Sequence, residues 1–284
     1  MAEDTRIRPG VDHGSPRIAV IIPCFNDGAF IEETVASVRE AEPVEIVVVD
    51  DGSTDERTPV ALAAIEARGD AKVVRHQVNT GISAARMTGL AQTSARYVYP
   101  LDGDDALEPR SLAVLADRLD NDAAVDFAYG NGTYLGDDEV WTSRPWDPFT
   151  LLYLNAWPPC LIRRDVLLAV GGWSHTDCYE DWDLLFALAE HDYEGAHVDQ
   201  IVLHYRRHVG GREHRRCLQQ FGRAYRVLRA RHQPLFARRA ELAGRSPVPW
   251  RTRLLMPLRH GSRPLLPYWL YWWLRGRRTQ RPRS

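Results

Sequence analysis

The chain has 284 residues, 44% hydrophobic and 26% charged, which supplies one large core or two modest ones and excludes a chain disordered throughout. Its four cysteines, Cys24, Cys160, Cys178 and Cys217, form no CxxC pair, so neither a zinc site nor a disulfide framework is indicated and a reducing cytoplasm fits. The net charge of −2 hides a division: residues 206–284 hold 21 arginines against Glu213 and Glu241, a balance of +19, while residues 1–205 carry 15 basic residues against 36 acids, or −21.

Residues 1–16 are polar, include Pro9, Gly10, Gly14 and Pro16, and lack the apolar core of a signal peptide, so they read as a flexible lead-in. From Arg17 short β-branched runs alternate with helical patterns. IAVIIPC (18–24) is a fully apolar run, and FIEETVASVREA places Ile31, Val35 and Val38 at helical spacing. EIVVVDD (45–51) is followed by Ser-Thr-Asp capping chemistry and VALAAIEARG. KVVRH (72–76), ISAARMTGLAQ and RYVYPLD (96–102) repeat the scheme. Strands buried on both faces and interleaved with helices imply a doubly wound, mostly parallel, Rossmann-like α/β sheet over 17–122.

After about residue 123 that rhythm breaks. VDFAYG and TYLGDDEVW resemble strands joined through a Gly-Asp turn, a Trp- and Pro-rich stretch precedes CLIRRDVLLAVGG, and YEDWDLLFALAEH reads as a helix with Glu180, Asp181 and Asp183 in its first turn. Acids there also suit the positive end of a helix dipole, which is their plain structural role.

Residues 211–284 form a basic, aromatic-rich helical extension. Leu218, Phe221, Tyr225 and Leu228 make an apolar stripe with Arg215, Arg223, Arg226 and Arg229 between them. PLLPYWLYWWLRGRR (264–278) is too short to span a bilayer but suits the headgroup layer, where aromatic rings and arginine both gain. A core or dimer helix is the alternative reading of that segment. A polyanion partner is implied, and a membrane surface is preferred to nucleic acid, because a body of −21 repels a phosphate backbone.

The chemistry-bearing residues cluster after the strands, where open α/β sheets bind ligands. YVYPLDGDDAL (97–107) sets Asp102, Asp104 and Asp105 within four positions, and such crowding costs free energy unless the turn is wet or a cation belongs there. Taken alone DGDD is a weak motif. At a strand end, one or two aspartates suit Mn²⁺ or Mg²⁺ carrying a diphosphate rather than a closed cage. Asp51 could accept from a base N–H, Gly52 and Ser53 keep their turn tight, and Asn79, Gly81 and Arg86 could close the far side of a nucleotide.

IIPCFN, VVDDGSTD, NTGISAAR, LDGDD and YEDWDL, in this order over about residues 17–210, resemble the inverting family 2 glycosyltransferases with the GT-A nucleotide-diphospho-sugar transferase fold. The resemblance implies a nucleotide-sugar-binding half at 17–122 and an acceptor-binding, catalytic half at 123–210. It implies that Pro23, Cys24, Phe25 and Asn26 line the base, that Asp51 and Arg86 hold it, and that Asp102, beside Gly103, faces the ribose and a metal water. Asp104 would ligate the metal, Asp105 would support it, Asp181 would be the base and Glu180 would ease charge on the sugar. YRRH (205–208) resembles a signature in which His208 approaches the metal or diphosphate, or Arg206 and Arg207 bind phosphate. The motifs depart from the family pattern at Cys24-Phe25 and at Met87.

The implied activity is metal-dependent, inverting transfer from a nucleoside-diphosphate sugar, UDP by default, to a glycan, lipid-linked or other cell-envelope hydroxyl, at the inner face of the cell membrane. The alternatives are a sugar-nucleotide pyrophosphorylase, which prefers a glycine-rich basic loop absent from IIPCFNDG, and a non-catalytic nucleotide-sugar sensor or membrane scaffold, which has no need of EDWD.

Overall fold

A computed structural model describes residues 16–136, 139–154, 157–174, 178–207 and 212–259, with backbone only for 212–219, 258 and 259. In chain order the elements are β1 Ile18–Cys24, α1 Ile31–Ser37, β2 Val44–Asp50, α2 Arg57–Arg68, β3 Lys72–Arg75, α3 Ile82–Ala91, β4 Tyr97–Pro100, β5 Ala106–Leu107 and α4 Ser111–Asp120. There follow β6 Phe127–Tyr134, β7 Val140–Trp141, α5 Pro148–Leu151, β8 Leu161–Arg163, α6 Arg164–Ala169, α7 Glu180–Glu190 and β9 Gly195–Tyr205. The extension holds α8 Arg212–Arg231, α9 Gln233–Ala237, α10 Arg239–Arg245 and α11 Trp250–Arg259.

One sheet runs through both halves in the order β3-β2-β1-β4-β8-β6-β9-β5, with β7 on the side of β6. Its first four strands are parallel. All seven residues of β1 are buried, as a central strand covered on both faces requires. Beyond β4 the sheet is mixed: β8 is antiparallel to β4 and β6, and β9 is parallel to β6. The sheet is therefore wholly parallel only in its first half. The polarity changes where the βα rhythm of the sequence stops.

Two local expectations shift. FIEETVASVREA stops being helical at Ser37, because the following chain serves another element: Glu40 accepts from Leu112 N at 2.9 Å and Ala113 N at 3.2 Å, capping α4. The two strand candidates after residue 123 are one longer strand, β6, which turns at Gly136 (φ 78°) into β7.

The extension packs as the apolar stripe predicts, within the side chains described. Tyr225 and Leu228 are buried, and Phe221 is stacked on Trp182 of α7 with centroids 6.1 Å apart. Trp182 is itself buried and donates through Nε1 to Leu151 O at 2.9 Å, while Tyr225 Oη donates to Leu152 O at 2.8 Å. Trp182 thus ties the second half of the sheet domain to α8. Leu218 and Arg215 lie outside the described side chains, and 264–278 outside the described residues. Cys178 is disulfide-bonded, which corrects the expectation of no disulfide, whereas Cys24 and Cys160 are free and buried. Widely spaced cysteines carry no pairing signal in sequence. Among the described residues no helix is long and apolar enough to cross a membrane.

Removing the Trp182 ring leaves a large cavity in this cluster, so Trp182→Ala is expected to lose about 3–5 kcal/mol of stability, measured by urea unfolding.

Candidate functional site

The carboxyl ends of β1 and β2 form one lip, held by side chains that replace missing backbone partners. Asn26 takes a left-handed conformation (φ 63°) that asparagine tolerates better than most residues. Its N–H donates to Ser53 Oγ at 2.9 Å and its Oδ1 accepts from Thr54 N at 2.8 Å and Asp55 N at 3.1 Å. Asp50 Oδ1 accepts from Ser53 N at 2.9 Å. Gly52 has φ 73°, and a Cβ there would lie 2.6 Å from the backbone carbon of Val78, so the turn admits only glycine. Pro23 and Cys24 are buried, and burial with the Asp27 charge pushes the Cys24 thiol up to about 12, so it packs as a neutral group. Phe25 stays 42% exposed at the rim.

Asp51 is buried and organises the loop after β3. Its Oδ1 accepts from His76 Nδ1 at 2.7 Å, Thr80 N at 2.9 Å and Thr80 Oγ1 at 2.8 Å; its Oδ2 accepts from Gly81 N at 2.8 Å. Burial opposes ionisation, yet these bonds outweigh it and hold the carboxyl below its ordinary range. Here Asp51 spends most of its acceptor capacity on its own fold and keeps one open position on Oδ2. Asn79 is exposed at the tip of this loop, and Gly81 (φ 95°) starts α3. His76, which sequence reasoning passed over, supports Asp51 from behind and reaches Thr88 Oγ1 at 2.9 Å.

The second group surrounds Arg86. Its side chain is 1% exposed, and its guanidinium meets three carboxylates: Asp102 Oδ1 at 2.8 Å, Asp181 Oδ1 at 2.8 Å and Glu180 Oε1 at 3.2 Å. Arg86 therefore lies among the acids. Trp173 covers it, with the ring centroid 5.9 Å away. One cation against three acids leaves the cluster short of positive charge. Burial and Asp181 raise Glu180 to about 7, against the pull of Arg86. Asp181 is also raised, by burial and Asp102, again opposed by Arg86. Its side chain nevertheless keeps 45% exposure, and Oδ2 has no hydrogen-bond partner among the described residues.

The DGDD turn sits against the end of β1. A Cβ on Gly103 would meet Pro23 O and Asp27 Oδ2, each at 2.9 Å, so only glycine allows this approach. Asp102 and Asp104 are half-buried, and Asp105 is buried. Burial and the neighbouring Asp102 push Asp105 up to about 8, and its Oδ1 accepts from Arg206 N at 2.8 Å. Arg206 also donates from Nε to Asp104 O at 2.7 Å and from Nη2 to Glu33 at 2.6 Å, and its guanidinium lies 4.6 Å from the Phe30 ring centroid. In this arrangement Arg206 braces the acidic turn, and Arg207 stacks on Tyr134. His208 lies outside the described residues.

Among the described residues no three His, Cys, Asp or Glu side chains converge as a metal cluster. The donor set still fits a hard divalent cation in an open site: half-exposed Asp102 and Asp104 offer oxygen, and the four carboxyl groups of Asp102, Asp105, Glu180 and Asp181 outnumber the cations Arg86 and Arg206 beside them.

The far side of α7 is gripped by the extension. Asp183 accepts from Arg231 Nη1 at 2.8 Å and His232 Nε2 at 3.1 Å, and from Ser174 Oγ. His232 Nδ1 meets Glu190 at 2.8 Å, so one imidazole holds both ends of α7. Burial alone would lower His232, but the bonds to Asp183 and Glu190 prevail and raise it above 6.5.

A parallel half-sheet with an acidic turn at its carboxyl edge, continued by a mixed half that delivers an acidic helix start, is the GT-A architecture of nucleotide-diphospho-sugar transferases. The model of glycosyl transferase family 2 matches residues 19–166, and the chain belongs to that family. The succinoglycan biosynthesis protein ExoU of Rhizobium meliloti is 37% identical over 118 residues, 39% of this chain and 34% of that protein. The poly(ribitol-phosphate) β-N-acetylglucosaminyltransferase TarP of Staphylococcus aureus is 32% identical over 101 residues, 34% of this chain and 31% of its own length. The chain spans less than half the length of these relatives. In solved structures it resembles S. aureus TarS 1–349 in complex with UDP-GlcNAc, at TM-score 0.62 and 17% identity, covering 85% of this chain and 72% of that one. It also resembles the mannosyltransferase PcManGT of Pyrobaculum calidifontis in complex with GDP-Man and Mn²⁺, at TM-score 0.57 and 21% identity, covering 81% and 75%.

Because the folded pKa of His232 is raised, its contribution to stability is full below the unfolded value near 6.5 and is lost as pH rises through the folded value. Thermal melts across pH 5–9 are expected to show wild type losing its advantage over His232→Gln as pH rises past that window.

Proposed function

We propose that the protein transfers a sugar, with inversion, from a nucleoside diphosphate to a hydroxyl of a glycan, lipid-linked or other cell-envelope acceptor, in a metal-dependent reaction. The observation that carries this is the Arg86 bridge: one guanidinium joins Asp102 of the acidic turn to Asp181 and Glu180 at the start of α7. Residues nearly a hundred positions apart in sequence thereby meet in one cluster, as a donor site and a base must.

The roles we assign to individual residues rest on the family resemblance, and that geometry supports them. Asp104, with Asp102, would hold Mn²⁺ or Mg²⁺, with His208 as a further candidate ligand. Bound there, the ion would neutralise charge building on the departing diphosphate. The lip of Pro23, Cys24, Phe25 and Asn26, with the loop carrying Asn79 and Gly81, would enclose the nucleoside, and the open position on Asp51 Oδ2 would receive a base N–H. Ser53 and Gly103 keep these turns close to the nucleotide.

Asp181 Oδ1 is held by Arg86, which leaves Oδ2 to take the proton of the acceptor hydroxyl as its oxygen attacks carbon 1 of the sugar. The bond from carbon 1 to the diphosphate oxygen breaks on the opposite face, which inverts the centre. A carboxylate whose pKa is raised above its ordinary range by burial and by Asp102 suits this task. Glu180 would ease positive charge growing on the ring.

UDP is the default donor nucleotide; the fold relatives were solved with UDP-GlcNAc and with GDP-Man. The acceptor half at 123–210 and the basic extension at 211–284 suit an acceptor presented at an anionic membrane surface, so the protein would work peripherally on the inner face of the cell membrane.

Asp181→Asn is expected to retain nucleotide-diphosphate binding while turnover falls by roughly two to four orders of magnitude, compared by calorimetry and product release. Unchanged turnover removes Asp181 from its role. Asp104→Ala should lose the manganese-dependent part of nucleotide binding in the same calorimetric assay, and an identical manganese response would remove Asp104 from the metal site.

A further inference from the structure

Residues 212–259 contain 13 arginines and two acids. Folding neutralises a few of these cations: Arg231 pairs with Asp183, Arg238 with Asp192 and Glu241, and Arg245 with Glu241. Arg223, Arg226, Arg229, Arg239 and Arg251 are exposed and, with half-buried Arg253, have no carboxylate partner among the described residues. Among the described residues no carboxylate relieves their mutual repulsion.

The last described helix, α11, carries exposed apolar side chains beside two of these arginines, Arg251 and Arg253. It buries Met256 against the body and turns Trp250 and Leu254 outward, 60% and 64% exposed. Four positions apart, they share one face of the helix. Arg251 lies 5.4 Å from the Trp250 ring centroid, and Arg253 adjoins Leu254 in sequence. A purely ionic partner would satisfy the arginines and leave Trp250 and Leu254 in water. A purely apolar partner would cover the side chains and strand the guanidinium groups. The boundary layer of an anionic bilayer accepts both, with indole and aliphatic groups entering among headgroups while arginines meet phosphates.

We propose that α11 is a docking face for an anionic phospholipid surface, entered by Trp250 and Leu254 and held by Arg251 and Arg253 of the same helix. The inference rests on the membrane-surface reading above and assigns the contact to a helix other than the aromatic 264–278 segment. Since α8 and His232 grip α7, docking through this extension would anchor the same packed unit that carries Asp181.

The test is sedimentation of the full chain with vesicles of phosphatidylcholine alone or with phosphatidylglycerol, for wild type, Trp250→Ser/Leu254→Ser and a form lacking 263–284. Wild type should pellet with the anionic vesicles, less so as salt rises. The double variant should partition at least about tenfold more weakly. It should melt as wild type does and bind nucleotide unchanged. Equal pelleting of wild type and double variant overturns the assignment to α11; if the truncated form alone fails to pellet, the membrane reading stands on 264–278. Wild type that pellets with neither vesicle overturns both.

Discussion

The structure turns on a surplus of negative charge gathered around one buried cation. Arg86 comes from the middle of α3, and its guanidinium reaches an acidic turn at the end of β4 and the first turn of α7. Neither end could be placed so close to the other without it, because Asp102, Glu180 and Asp181 would repel. Yet one arginine does not balance three carboxylates. The remaining imbalance appears as carboxyl groups held above their usual range, Glu180 to about 7 and Asp105 to about 8. A site in that condition would gain from a divalent cation, and the crowding of three aspartates within four positions is explained by their surroundings more than by their spacing.

The surrounding loops are fixed from the inside, which leaves their outer edges available. Asp51, Asn26 and Arg206 each use several bonds to hold chain segments that carry no regular structure of their own. Preorganised loops of this kind cost nothing to order when a ligand arrives. Arg206 is instructive, since the same guanidinium could have been assigned to phosphate. Its bonds to Asp104 O and Glu33, and its backbone bond to Asp105, place it behind the acidic turn as a brace.

Much of the first half was legible because local pattern and burial agree there. The apolar runs at 18–24 and 45–51 became β1 and β2 within a residue, since central parallel strands have no polar face to obscure them. The rule that ligands sit at strand ends singles out Asp51 and the DGDD turn, and both follow directly on the carboxyl ends of β2 and β4. What stayed hidden depends on distant partners. The early end of α1 follows from Glu40 capping α4, some 70 residues on. The placement of Arg86 among the acids involves α7, about 95 residues later, and no periodicity reports such a pairing. The bond at Cys178 likewise has no signature in cysteine spacing.

Helix α7 is where these constraints meet. Its first turn gives Glu180 and Asp181 to Arg86, and its opposite face gives Asp183 and Trp182 to the extension. Consecutive residues on a helix point about 100° apart, so the sequence EDWD distributes itself automatically between the two neighbours. The acids that look alike in sequence therefore differ in chemistry: Asp183, bonded to an imidazole and a guanidinium, is held below its ordinary range, while Asp181, two positions earlier, is held above it. The extension cannot be shifted without pulling on His232 and hence on both ends of α7, so whatever the basic tail docks against is mechanically continuous with the carboxylate proposed to move the proton.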